Sequence, residues 1–156
     1  MKVYHSSYTR IERPDIFHSR DYLDFGKGFY LTHLREQAER YGMRFTRRGQ
    51  ESWLNIYDFD FSDNDWKILR FDNYDKLWLE FVSKCRNGLD DSDYDMVIGG
   101  VANDKVIRTL DRYFNGEINE EVALGLLIFE KPNIQYCIRS QDMLERCVKH
   151  TESLKL

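Results

Sequence analysis

Phe25-Gly26-Lys27-Gly28-Phe29-Tyr30-Leu31-Thr32 is the stretch on which the reading of this chain turns. Two glycines flank one lysine, then Phe-Tyr follows, then a hydroxyl side chain. Glycine has no Cβ and lets a backbone pass close to a neighbour. Side chains alternate across a strand, so of Phe29 and Tyr30 one faces inward and the other can face a cleft. Leu34–Arg48 is helical in composition and carries a second tyrosine, Tyr41. A glycine-rich approach with two aromatics is a means of holding a flat ring.

Working outward, Lys2–His5 reads as a short strand and Ser6–Asp24 as irregular chain. Gly28–Thr32 is strand-like. Trp53, Ile56, Phe59 and Phe61 form an aromatic, strand-like run that ends at Ser62-Asp63-Asn64-Asp65. Leu77, Trp78, Phe81, Val82 and Cys85 fall at helical spacing, closed by Asn87-Gly88. Tyr94–Ile98 is an apolar strand ended by Gly99-Gly100. Val106, Ile107, Leu110, Tyr113 and Phe114 predict an amphipathic helix, with Asn103 as its N-cap and Asn115-Gly116 as its stop. Asn119-Glu120-Glu121 opens another helix with acids in its first turn. Ile134–Ile138 is a strand, and Ser140-Gln141-Asp142 starts a final helix. Strands and helices mix without strict alternation, which predicts an α+β fold. No repeat or linker interrupts the chain, and its two prolines, Pro14 and Pro132, fall at turns. A single domain over residues 1–156 follows.

An apolar fraction of 42% supplies a core at this length. Cys85, Cys137 and Cys147 lie far apart, as free buried thiols of a reducing compartment do. The N-terminus reads as a strand with no secretory h-region, and no apolar run reaches membrane length, so cytoplasmic residence is expected and no membrane partner. A net charge of −4 argues against nucleic-acid binding by bulk electrostatics. Arg44, Arg47 and Arg48 read as a solvated helix end. The acidic runs 72–75 and 90–93 do not match calcium spacing, and no zinc ligand set occurs. There is no P-loop, and Gly26-Lys27-Gly28 lacks the third glycine of a dinucleotide fingerprint.

The motif Phe25–Tyr30, with Tyr41 eleven residues after Tyr30, resembles the nicotinamide-pocket segment of the poly(ADP-ribose) polymerases, which are diphtheria-toxin-like ADP-ribosyltransferases. Tyr4-His5-Ser6-Ser7 is similar to their first motif, a strand followed by His-Gly-Ser/Thr. Over nearly its full length the chain resembles a bacterial family, domain of unknown function 3990, of the ADP-ribosyltransferase clan. Val3-Tyr4-His5, Ser19-Arg20, Leu23–Tyr30, Gln37-Ala38, Asp95–Gly99 with Val101–Asp104, and Gln135-Tyr136-Cys137 carry that likeness. It implies a split antiparallel sheet with flanking helices, NAD as co-substrate, and transfer of ADP-ribose to an unknown macromolecular acceptor. A bacterial toxin or defence effector with an antitoxin partner fits the same class.

ADP-ribosyl transfer breaks the bond between nicotinamide and ribose through an oxocarbenium-like state. Positioning and electrostatics carry most of such catalysis. The resemblance implies that His5 bonds the adenine-side ribose and that Tyr30 and Tyr41 sandwich the nicotinamide ring. Gln135 stands where the enzymes carry a glutamate, and Glu130 upstream is a second candidate acid. Ser6 and Ser7 would lie at the carboxamide, although the family has glycine at the position of Ser6 and the added Cβ can crowd the site. Ala38 replaces a serine that bonds the carboxamide. Gly28 and Phe29 form the pocket strand, and Arg20 can meet the pyrophosphate with paired donors. Asn103-Asp104 resembles a family motif that helix capping also explains. Each of these residues has a bland reading as well: a core histidine, structural tyrosines, a solvated loop acid. Because Gln135 cannot place negative charge beside a developing cation, a catalytically degenerate NAD- or nucleotide-binding module is the alternative; Ser6 and Ala38 leave open a third class, a protein-binding scaffold.

Overall fold

Four of the five helices begin at a side chain that satisfies their first free N–H groups. Asp75, Asn103, Asn119 and Ser140 each accept from the backbone three residues on, so α2 (Lys76–Arg86), α3 (Asp104–Phe114), α4 (Glu120–Leu127) and α5 (Gln141–Cys147) start where short polar residues sit. The fifth helix, α1 (Arg35–Arg47), has Leu34 at its N-cap and no side-chain cap. The strands are β1 (Lys2–Ser7), β2 (Phe29–Thr32), β3 (Trp53–Phe59), β4 (Ile68–Arg70), β5 (Met96–Gly100), β6 (Ile134–Ile138) and β7 (Val148–Lys155). The computed structural model describes residues 1–156 throughout.

All seven strands join one sheet in the order β4-β5-β6-β2-β1-β3-β7, and the fold is α+β. The sheet is mixed rather than wholly antiparallel, because β4 runs parallel to β5. Neither β4 nor β7 is evident from hydrophobic pattern. β4 has three residues, and β7 is Val-Lys-His-Thr-Glu-Ser-Leu-Lys, an edge strand whose charges suit solvent. The fifth strand also shifts: Gly99 and Gly100 lie inside β5 and do not end it. Rings take the space their side chains would fill, since a Cβ on Gly99 would meet Phe25 at 2.9 Å and one on Gly100 would meet Tyr74 at 2.5 Å.

The two halves of the sheet meet weakly. All six residues of β1 pair with β3, and all four of β2 pair with β6, yet β1 and β2 share a single pair, Tyr4 with Thr32. Past that pair the two strands separate toward Ser7 and Phe29.

One face carries Val3, Phe29, Leu31, Tyr57, Met96 and Ile138, covered by Met143 and Leu144 of α5. The other face is covered in two places. α1 sits over Leu54 and Ile56 through Ala38. α2, α3 and α4 pack with Phe25, Val97 and Cys137 around the fully buried Trp78. α1 packs mainly on β1, β3 and β2, whereas α2, α3 and α4 form a second group on the same face. By strand alternation and register, Ser6, Tyr30, Thr32 and Gln135 belong to this face.

Two glycine substitutions should move stability in opposite directions. A Cβ on Gly28 would lie 2.6 Å from the Ile138 carbonyl oxygen and 2.7 Å from Cys137 Sγ, so Gly28→Ala should cost about 1–3 kcal/mol in urea unfolding. Gly125 is exposed within α4 with nothing near its missing Cβ, so Gly125→Ala should add roughly 0.5–1 kcal/mol. A tolerated Gly28→Ala would contradict the close approach of β2 to β6.

Candidate functional site

The turn that feeds β2 is held from several sides. Leu23 O accepts from Gly26 N–H at 3.0 Å, and Gly26 has φ +79°, a conformation glycine adopts without strain. Phe25 is fully buried beside Phe71 and Phe81. Asp24 accepts from Arg86 of α2 at 2.7 Å. Tyr30 then closes the turn, its hydroxyl donating to Gly26 O at 2.5 Å and accepting from Phe25 N–H at 3.1 Å. Burial above all, and then the neighbouring Cys137, raises its phenol well above 10. Tyr30 is therefore neutral and rigid, and its hydroxyl is committed to the backbone.

His5 sits where β1 and β2 part. Its Nδ1 lies 2.7 Å from Tyr30 O. A carbonyl only accepts, so Nδ1 carries the hydrogen and Nε2 keeps its lone pair. The ring stacks on Phe29 with centroids 4.3 Å apart. Burial lowers its pKa from 6.5, and this outweighs the opposing effect of the Tyr30 bond. The result is a neutral imidazole with one acceptor nitrogen that bonds nothing else in the protein.

The residues singled out from sequence do not all converge. His5 and Tyr30 are joined by a hydrogen bond, but strand alternation sends their rings to opposite faces, His5 onto Phe29 and Tyr30 toward the cluster around Trp78. Tyr41 is 45% exposed on α1, in edge contact with Phe45 and under the Arg44 guanidinium at 4.6 Å. Ser6 does not have a left-handed backbone, and its hydroxyl donates to Ala38 O at 2.5 Å. Its side chain ties β1 to α1. Ser7 is buried and accepts from Thr9 N–H. Gln135 pairs with Thr32 on one side and Gly99 on the other. Arg20 is exposed and forms no ion pair; Ser19 Oγ accepts from Gly28 N–H at 3.1 Å and donates to Arg20 O, which holds that backbone beside the glycine turn. Asn103 caps α3 through Val106 N–H. Glu130 lies on the α4–β6 connection, near enough to Tyr74 to help raise its phenol, after burial, to about 12.

Gln37, half of the Gln37-Ala38 match in sequence, gains a candidate role of its own only from the structure. Its Oε1 is buried with no hydrogen-bond partner. One turn before Tyr41, it stands on the same flank of α1. The sequence match assigns Gln37 no role; the unmet acceptor is what marks one.

Two hollows open on the surface, neither of them lined by His5, Tyr30, Tyr41 or Gln135. One of about 350 Å³ lies between β4 and α2. A second, about 630 Å³, touches Gly26 and Lys27 but is also lined by Asp21, Asp90, Asp93 and Asp95. Its Arg139 is bound to Asp90 at 2.7 Å with both side chains nearly buried, so the hollow is unsuited to an anion.

The chain belongs to the family described as protein of unknown function DUF3990, which matches residues 1–150. Neither the curated proteins nor the solved structures contain a significant match. No helix is long and apolar enough to cross a membrane.

The lowered His5 pKa makes stability depend on pH. Below 6.5 the unfolded chain takes up a proton that folded His5 refuses, so stability should fall as pH drops from 6.5 through the folded value. His5→Asn retains a donor for Tyr30 O and should flatten that part of the profile in urea titrations at pH 7.5 and 5.5. Parallel profiles would remove His5 as the cause. Gln37→Met should raise stability by about 1 kcal/mol, because an unmet buried acceptor is replaced by apolar surface; a loss would mean that Oε1 is bonded.

Proposed function

We propose that this protein binds NAD and acts as a mono-ADP-ribosyltransferase-like protein on a macromolecular acceptor, in the manner of a toxin or defence effector. The observation that carries the reading is the parting of β1 from β2 beside a neutral His5 whose Nε2 has no protein partner and is free to accept from a donor. A ribose hydroxyl is such a donor. The ordered motifs His5, Phe25–Tyr30 and Tyr41 support the same class by resemblance.

Other groups fit the remaining parts of the dinucleotide. Gln37 Oε1 can accept from a carboxamide N–H, a role otherwise lost with Ala38. Tyr30 offers a ring fixed by two hydrogen bonds, and Tyr41 a second, partly exposed one. Arg20 is free for the pyrophosphate. NAD brings the reactive glycosidic bond, whose electron pair leaves with nicotinamide while an acceptor atom takes the ribose carbon and sheds its proton. Gln135 can bond a ribose hydroxyl but adds no negative charge, so this chain contributes position rather than charge stabilisation. A single transfer suits that arrangement better than chain elongation. The amide at 135 also favours the second reading, a nucleotide-binding module without turnover.

Release of nicotinamide and calorimetry with NAD separate the two. His5→Ala and Gln37→Met should weaken NAD binding by about tenfold each, the loss of one hydrogen bond of about 1.4 kcal/mol. Tyr30→Phe should keep most of the affinity while lowering stability by about 1–3 kcal/mol, since Phe25 N–H loses its acceptor. Gln135→Glu should speed nicotinamide release about tenfold or more. Binding without release in either form assigns the module reading. If Glu130→Gln alone abolishes release, the acid is Glu130. Absence of NAD binding defeats both.

A further inference from the structure

The second half of α1 differs in charge from the rest of the molecule. The chain carries a net −4, yet no acid occurs between Glu39 and Glu51. Within that interval Arg40, Arg44, Arg47 and Arg48 are all exposed, and none takes part in an ion pair. The other helical cations mostly have acidic neighbours, as Arg35 has Glu39 and Arg146 has Asp142. Four unneutralised guanidinium groups thus stand on little more than two turns of one helix.

The fold adds aromatic faces to this charge. Tyr8, the first residue past β1, is 58% exposed and lies against Phe45 of α1 with ring centroids 6.1 Å apart. Phe45 in turn contacts Tyr41 at 6.0 Å. The three rings make a row beside the arginines, although Tyr8 and Phe45 are distant in sequence.

The geometry points to this face of α1 as a binding surface for single-stranded nucleic acid, adjoining the proposed dinucleotide site at Tyr41. Arginines meet successive phosphates, and exposed rings stack on unpaired bases whatever their sequence. An acidic peptide has no use for the aromatic row. A duplex keeps its base faces stacked inside. The four free arginines overcome the chain's overall negative charge because screening confines electrostatics to about 8 Å at physiological salt.

Fluorescence anisotropy on the full chain tests this without NAD, so its outcome is independent of the transferase reading. The probes are labelled 12-nucleotide DNA and RNA single strands of mixed sequence, the matching duplex, and polyglutamate of equal charge. Both single strands should bind, with the ratio of their affinities showing which sugar is preferred, and duplex and polyglutamate should bind at least tenfold more weakly. Affinity should fall ~50-fold between 50 and 200 mM salt, from a logarithmic slope of about −3 for four phosphate contacts. Arg44→Ala/Arg47→Ala/Arg48→Ala should reduce that slope by about 2. Tyr8→Ala, chosen because Tyr41 belongs to the proposed dinucleotide site, should weaken binding about tenfold with the slope unchanged. No binding at low salt, equal binding of polyglutamate or duplex, or full affinity in Tyr8→Ala overturns the proposal.

Discussion

One hydrogen bond bridges the place where the sheet parts. His5 Nδ1–H donates to Tyr30 O where a backbone N–H would serve in a continuous ladder. β1 and β2 otherwise share only the pair of Tyr4 and Thr32. A side chain is longer than a backbone amide, so the strands can stand apart and still satisfy the carbonyl. Buried carbonyls need a partner, and the imidazole supplies one that leaves a second nitrogen unengaged. The gap and the free acceptor therefore have a single origin. Desolvation keeps the ring neutral, which preserves that acceptor.

The parted strands do not collapse because each is fixed from its own side. β1 is locked to β3 along its whole length and to α1 through Ser6 and Ala38. β2 is locked to β6, with Gly28 pressed against Ile138 and Cys137. Tyr30 fastens the turn before it, and the Asp24–Arg86 pair fastens that turn to α2. Burial drives the Cys137 thiol up to about 12, so it serves as packing rather than as a nucleophile. Two rigid halves with a narrow join are a mechanical basis for a cleft that keeps its shape.

What sequence made legible was local. Helix starts were readable because Asn103, Asn119 and Ser140 have short side chains that reach an N–H three residues on. Ile134–Ile138 and the Phe25–Thr32 strand entrance were readable from apolar runs and glycines. β7 was not, because an edge strand paired on one side needs no apolar alternation, and its charges mimic a loop. The end of β5 was misplaced because Gly99 and Gly100 look like a turn, whereas the Phe25 and Tyr74 rings explain them. Site residues were visible singly as motif members, but sequence spacing could not say that His5 and Tyr30 point to opposite faces. The candidate roles of Gln37 and Tyr8 were not legible for a related reason. The first is marked by an unmet acceptor, the second by a neighbour far along the chain.

Under the proposed NAD-binding reading, the amide at Gln135 would bear on binding and on chemistry with opposite sign. A carboxylate beside the ribose would stabilise a developing cation, but it would also repel the pyrophosphate of the same ligand. At an effective dielectric near 20, like charges 8 Å apart repel by about 2 kcal/mol. The acid that acts on the Tyr30 phenol, Asp24, is already paired to Arg86 and adds little further repulsion. In the proposed reading, a neutral histidine, two glutamines and a free Arg20 about the parted strands would favour retention of an anionic ligand over rapid turnover. Slow, single events would serve an effector that modifies few targets, and retention alone would serve a sensor. Both follow from the absence of one charge at the centre of an otherwise ordered set of residues.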